Sequence, residues 1–153
     1  KPRKLNREVL TMKMTSEQYK AERDAIRYNF NLGWKEKQEM LDNLWMTYCD
    51  GLETGDKANV KLWTDVQPCT VIKRTAKTVT VRYDKGSLDP KWKPEMVVGG
   101  FSAYTTNNDD QKWVLEDDLN GRTEVFRRRK DGWFNTSDCR LAPGWHKFHD
   151  YNF

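Results

Sequence analysis

Cys139, His146 and His149 share one stretch of the chain in the order C-x6-H-x2-H. These are zinc-ligand and Cys–His nucleophile residue types. Zinc needs four ligands with deprotonated thiolates, and no Cys-x-x-Cys pair accompanies these three. They rank as weak metal candidates, and no metal is assigned. A nucleophilic thiol needs a base within hydrogen-bond reach and a lowered pKa. Cys69 lies on the apolar side of a strand pattern and reads as a small core residue. Cys49 closes a helical pattern, and Cys139 lies in a loop. Asp109-Asp110 and Asp117-Asp118 fall at turns, where Asp bonds its own backbone. The chain has no P-loop and no GxGxxG. The expectation is a non-enzymatic protein with no cofactor.

Binding chemistry has better candidates. Arg127-Arg128-Arg129-Lys130 is the only run of four basic residues. On a strand, Arg127 and Arg129 share one face while Arg128 and Lys130 share the other. Lys73, Arg74, Lys77 and Arg82 cluster along two further strand patterns. Lys91-Trp92-Lys93 interleaves a ring with two cations, a composition suited to phosphate contact and base stacking. Trp63, Trp92, Trp133 and Trp145 exceed what a small core must bury, and aromatics anchor interfaces. The competing reading is a solvated sheet face with charged edges.

The composition frames these candidates. The chain has 153 residues, a formal charge of +4 and 33% charged side chains. Such polarity approaches that of disordered chains, but 7 Trp, 6 Tyr and 6 Phe can supply a core that disordered chains lack. The excess charge is spread evenly, so no segment is a basic arm. Three cysteines cannot close a disulfide framework, which points to free thiols in a reducing cytoplasm. No apolar run reaches membrane-span length, so no membrane partner is expected. No apolar signal core follows the basic Lys1-Pro2-Arg3-Lys4. Oligomeric state has no sequence signal.

The elements that must position the candidates follow from periodicity. Residues 1–14 read as a tail and residues 15–51 as a helical segment. Thr15 and Gln18 have capping-box spacing. Tyr19, Ala25, Ile26 and Phe30 line one helical face, and Asn31-Leu32-Gly33 reads as the stop, with Gly33 left-handed. A second helix is expected from Lys35 to Asp50, with Leu41, Leu44, Trp45 and Tyr48 as its stripe, Met40 and Cys49 flanking it, and Gly51 ending it. The β domain spans residues 55–153. There the period becomes two. Ala58, Val60 and Leu62 face the core, then Cys69, Val71 and Lys73 alternate with Thr70, Ile72 and Arg74. Thr64 to Pro68 reads as a break. Val79, Val81 and Tyr83 complete an antiparallel meander. Residues 85–110 read as a long irregular loop, within which Val97 and Val98 begin a strand. Asn120-Gly121 predicts a hairpin between a strand at Lys112–Glu116 and one at Arg122–Arg129. Asp131-Gly132 is a further turn. The aromatic tail after Pro143 is expected to dock.

Gly55-Asp56-Lys57, Cys69-Thr70-Val71-Ile72 and Thr78-Val79-Thr80-Val81-Arg82-Tyr83-Asp84 resemble the opening meander of a Tudor or SH3-like small barrel. The wider stretch resembles uncharacterised proteins of phages and mobile elements of Gram-positive bacteria. That resemblance is carried by Leu62-Trp63-Thr64-Asp65-Val66, Leu88-Asp89-Pro90-Lys91-Trp92, Gly99-Gly100-Phe101, Pro143-Gly144-Trp145 and Asp150-Tyr151-Asn152-Phe153. It implies an accessory protein that binds host or element machinery, host defence complexes included, in the cytoplasm of a host bacterial cell. The expected fold is α+β: an N-terminal helical hairpin, an antiparallel SH3/Tudor-like barrel and a C-terminal β-hairpin extension. The expected partner is nucleic acid or a host nucleoprotein complex, with a host protein as the other possibility. The alternative function is inhibition of a host defence nuclease by protein–protein occlusion, as anti-CRISPR proteins act.

Overall fold

The computed structural model describes residues 13–99 and 102–152. The tail expected over residues 1–14 lies outside the described residues up to position 12, as do Gly100, Phe101 and Phe153. Lys13 is ion-paired to Asp56 at 2.6 Å.

Two helices come first. α1 (Ser16–Arg27) starts at the expected capping box: Gln18 N–H donates to Thr15 Oγ1 at 3.1 Å, and Thr15 N–H donates to Gln18 Oε1 at 2.9 Å. It ends earlier than the periodicity indicates, with Tyr28 as its C-cap. Asn29 diverts the chain, its side-chain oxygen accepting from Asn31 N–H at 3.0 Å. Phe30 therefore leaves the helical face and stands 93% exposed. Gly33 is not a left-handed stop but the N-cap of α2 (Trp34–Asp50), with φ −71°. The helices form an antiparallel hairpin in which Tyr19 stacks on Tyr48 at 4.5 Å and meets Trp45 edge-on at 5.7 Å.

The β part is a closed antiparallel barrel of six strands. β1 (Lys57–Lys61), β2 (Val66–Arg74) and β3 (Thr78–Tyr83) form the expected meander. The Thr64–Pro68 break is shorter than expected, because Pro68 lies inside β2 opposite Asn59. The chain then leaves the wall on an excursion over residues 84–122. It returns as β8 (Thr123–Arg129), β9 (Gly132–Phe134) and β10 (Arg140–Pro143). β8 pairs with β3, and β10 pairs with β1, so no barrel strand keeps a free edge. The C-terminal hairpin, β8–β9 at the Asp131-Gly132 turn, lies within the barrel wall.

The excursion is more regular than its Gly and Pro content indicates. β4 (Lys85–Leu88) pairs with β7 (Trp113–Glu116), and β5 (Met96–Gly99) pairs with β6 (Ser102–Thr105). Asn120-Gly121 does not make the predicted hairpin, because β7 and β8 pair with different partners. Gly121 serves close approach instead: a Cβ there would lie 2.0 Å from the Tyr83 carbonyl oxygen.

Val60, Val71, Val79, Val81, Phe126, Trp133 and Leu141 fill the barrel, and Cys49 and Leu52 plug it from the end of α2. Trp133 is fully buried, and its indole N–H donates to the Cys49 carbonyl at 3.2 Å. Leu62, expected inside, is 43% exposed, because β1 ends at Lys61 and Leu62 enters the turn. Burial raises the thiols of Cys49 and Cys69 to about 12, which leaves them protonated and inert at neutral pH.

Trp133 joins helix to barrel through one side chain. Trp133→Ala is expected to destabilise the chain by about 3–5 kcal/mol in urea unfolding. Trp133→Phe, which keeps a ring but drops the donor, should cost less. Equal losses would show that the hydrogen bond to Cys49 is immaterial.

Candidate nucleic-acid interface

A bulge in β2 determines which cations reach the surface. The β2–β3 register shifts between Val71 and Lys73, so Lys73 pairs with Thr80 and Arg74 with Val79. The alternation read from sequence, with Lys73 inward and Arg74 outward, is therefore reversed. Arg74 shares the inner face with Val79. Its guanidinium lies 4.3 Å from the Trp133 ring centre and donates to the Asp50 carbonyl at 3.3 Å. Burial lowers its pKa. Lys73 points outward beside Thr80.

The basic run divides as strand geometry requires. Arg128 points inward, pairs with Asp50 at 3.0 Å and lies 5.6 Å from the Trp133 ring. Arg127 lies outward opposite Thr78 and is exposed. Arg129 is tied to Asp138 at 2.5 Å and stacks over Phe134 at 5.0 Å. Lys130 is exposed in the following turn. The outer face of β2, β3 and β8 thus carries Lys73, Arg82 and Arg127 among Thr78, Thr80 and Thr123, with Lys77 and Lys130 in the flanking turns. No outward position on these three strands is acidic. Among the described residues, none of Lys73, Lys77, Arg82, Arg127 and Lys130 is ion-paired. The face carries exposed Lys73 and Arg127, half-buried Arg82 and three threonine hydroxyls around the exposed Val125.

The tryptophans sort differently from the sequence expectation. Trp63 is 92% exposed at the β1–β2 turn. Trp133 is core, as above. Trp92 is buried and packs on Tyr151 of the tail at 5.7 Å, so Lys91 and Lys93 flank no available ring. Trp145 is half-buried and engaged internally. Its indole N–H donates to Asp84 Oδ2 at 3.0 Å, and the Lys57 ammonium lies 4.4 Å over its ring.

Asp84, not singled out from sequence, organises that corner. Its side chain is 0% exposed. It accepts from the Thr70 hydroxyl at 2.7 Å, from the Trp145 indole and from Asp118 N–H at 3.4 Å. Lys57 supplies the counter-charge at 3.8 Å and also pairs with Asp117. Lys57 holds the Asp117 carboxyl below its usual range. Asn59 was also missed. It sits on the outward side of β1, yet it is 2% exposed because the tail covers it. His146 N–H donates to Asn59 Oδ1 at 2.8 Å, and the Asn59 amide meets His146 Nδ1 at 2.8 Å. An apolar residue would have signalled this buried position; a polar one does not.

The weak metal candidates take separate partners. His146 is held by Asn59. His149 faces Asp65 at 3.3 Å. Cys139 belongs to a turn built on Asn135, whose side-chain oxygen accepts its N–H at 2.8 Å. No group of three metal-ligating side chains occurs among the described residues. No described helix is long and apolar enough to cross a membrane.

Fold and face together define a small α+β protein: a closed antiparallel barrel plugged by a helix, with one unpaired cationic sheet face. No protein-family model, curated protein or solved structure matches the chain.

Two expected outcomes follow from the tail contacts. Asp84→Asn offers one acceptor oxygen where three donors converge, and should destabilise by about 1–3 kcal/mol while speeding hydrogen exchange at the Trp145 indole. An unchanged indole exchange rate would contradict the pinning role. Burial, with Lys61 nearby, holds His146 below its ordinary 6.5. Below about pH 6.5 the unfolded chain takes a proton that the folded one resists, so stability falls as pH falls through that window. His146→Gln should flatten that part of a melting-temperature profile between about pH 7 and 5.

Proposed function

We propose that this protein is a non-enzymatic nucleic-acid-binding module that docks phosphate backbone on the outer face of β2, β3 and β8. The observation that carries the reading is the set of unpaired cations Lys73, Lys77, Arg82, Arg127 and Lys130, interleaved with Thr78, Thr80 and Thr123. Lys and Arg neutralise phosphates and release counterions. Threonine hydroxyls and main-chain groups position the backbone without reading sequence. The strands fix the backbone spacing of Lys73, Arg82 and Arg127, so the ordering cost on binding falls on their side chains and not on the main chain.

An accessory role for a phage or mobile element belongs to the same proposal and rests on the sequence resemblance alone. Occlusion of a host defence nuclease is the competing reading. It needs a complex with the nuclease that survives removal of nucleic acid.

The test is fluorescence anisotropy with a labelled oligonucleotide, single- or double-stranded, at about 50 and 200 mM salt. Affinity should fall steeply over that range. Lys73→Glu with Arg127→Glu should weaken binding roughly ten- to hundred-fold and reduce the salt slope by about two. Both residues are exposed, so folding should be unaffected. Absence of binding to any nucleic acid at 50 mM, or indifference to both substitutions, would overturn the reading.

A further inference from the structure

The turn between the two helices exposes three large rings. Tyr28 is 71% exposed, Phe30 93% and Trp34 77%. They fall within seven residues of a tight turn, where a helical hairpin normally places small polar groups. Leaving them in water-facing positions gives the fold no stability, because large apolar rings left exposed forfeit the hydrophobic gain. The turn is also cationic. Arg27, Lys35 and Lys37 flank the rings against the single acid Glu36. Lys37 donates to the Arg27 carbonyl at 3.0 Å and lies 6.0 Å from the Phe30 ring centre. That hydrogen bond ties the end of α1 to the first turn of α2.

A separate groove of about 970 Å³, lined by none of the three rings, has cations from both helix and barrel in its wall. It lies between the helical hairpin and the barrel. Arg27 stands in its wall at the α1 end, beside Tyr28, and Lys130 stands in its wall at the β8–β9 turn, next to the free cations of the sheet. Arg23 and Arg140 also line it, together with Glu39, Asp42 and Asp131. Arg140 is partly neutralised by Asp131 at 3.4 Å.

From this arrangement we infer that the helical turn is a base-stacking platform, and that the nucleic acid taken by the protein is single-stranded. Unpaired bases can stack on Tyr28, Phe30 and Trp34, whereas the bases of a duplex are already stacked and paired. Rings for bases, with cations for the backbone, form the recurring composition of single-strand sites. The flanking excess of Arg and Lys favours a polyanion over an apolar protein surface as the occupant. The inference rests on the binding reading above and specifies its ligand.

The test compares a labelled single strand, as DNA and as RNA, with the matching duplex, using wild type, Phe30→Ala/Trp34→Ala, and Lys73→Glu/Arg127→Glu. The inference expects the single strand to bind more tightly than the duplex. The ring variant should lose roughly five- to a hundred-fold on the single strand with little change on the duplex, and the sheet variant should lose on both. Intrinsic tryptophan fluorescence should quench on single-strand addition in wild type, and the quench should be smaller in the ring variant, which lacks Trp34. Equal binding of duplex and single strand, with the ring variant unaffected, would overturn the inference and leave the sheet reading standing. Loss of neither form in the sheet variant, or no binding at all, would overturn the sheet reading itself. A ring variant that binds every nucleic acid normally but no longer retains a host protein would assign the turn to protein contact instead.

Discussion

The buried carboxylate of Asp84 is the contact on which the rest of the chain's organisation depends. A charge with no exposed surface is costly unless its partners are complete. Here the partners come from four separate parts of the chain: Lys57 of β1, Thr70 of β2, the Asp118 backbone before β8, and Trp145 of the tail. Asp84 is the first residue after β3, where the chain leaves the barrel. Asp118 lies where it is about to return. One carboxylate therefore closes the excursion over residues 84–122 and fixes where β8 can meet β3. Without that closure, β3 would present an open edge.

The same contact explains why the tail docks instead of standing free. Trp145 is drawn to Asp84, which sets His146 over Asn59 and Phe148 beside Val66, bonded both ways at 2.9 and 3.1 Å. Asn152 then holds Thr105 at the end of β6, and Tyr151 packs on Trp92. The tail covers the outer side of β1 and ties down both ribbons of the excursion. What the tail leaves uncovered is the outer face of β3, β8 and the later part of β2, where Lys73 and Arg127 stand exposed and Arg82 half-buried. The proposed binding face is the part of the wall beyond the tail's contacts with Val66 and Gln67 at the start of β2.

Much of this was legible from residue order. Period-two alternation identified the first meander, the capping box placed the start of α1, and the aromatic content of the last residues indicated docking. Two local features were not legible. The bulge at Ile72 exchanged the facing of Lys73 and Arg74, because one extra residue inverts every later side chain on a strand. Asn29 ended α1 early, which removed Phe30 from the helical stripe. The tryptophans were misjudged for a common reason. Trp92, Trp133 and Trp145 each find a partner far along the chain, and periodicity carries no information about such contacts. Trp34, adjacent to the expected start of α2, drew no notice, yet it is among the most exposed rings.

The division of tryptophans provides the sharpest measurement. The seven indole N–H groups give separate signals in a nitrogen-15 NMR titration with a short single-stranded oligonucleotide. The expected result is movement of the Trp34 indole together with the backbone amides of Thr78, Thr80, Thr123 and Arg127, while the indoles of Trp92, Trp133 and Trp145 stay fixed. Movement confined to the β5–β6 ribbon, or no movement at a saturating concentration of strand, would contradict the account.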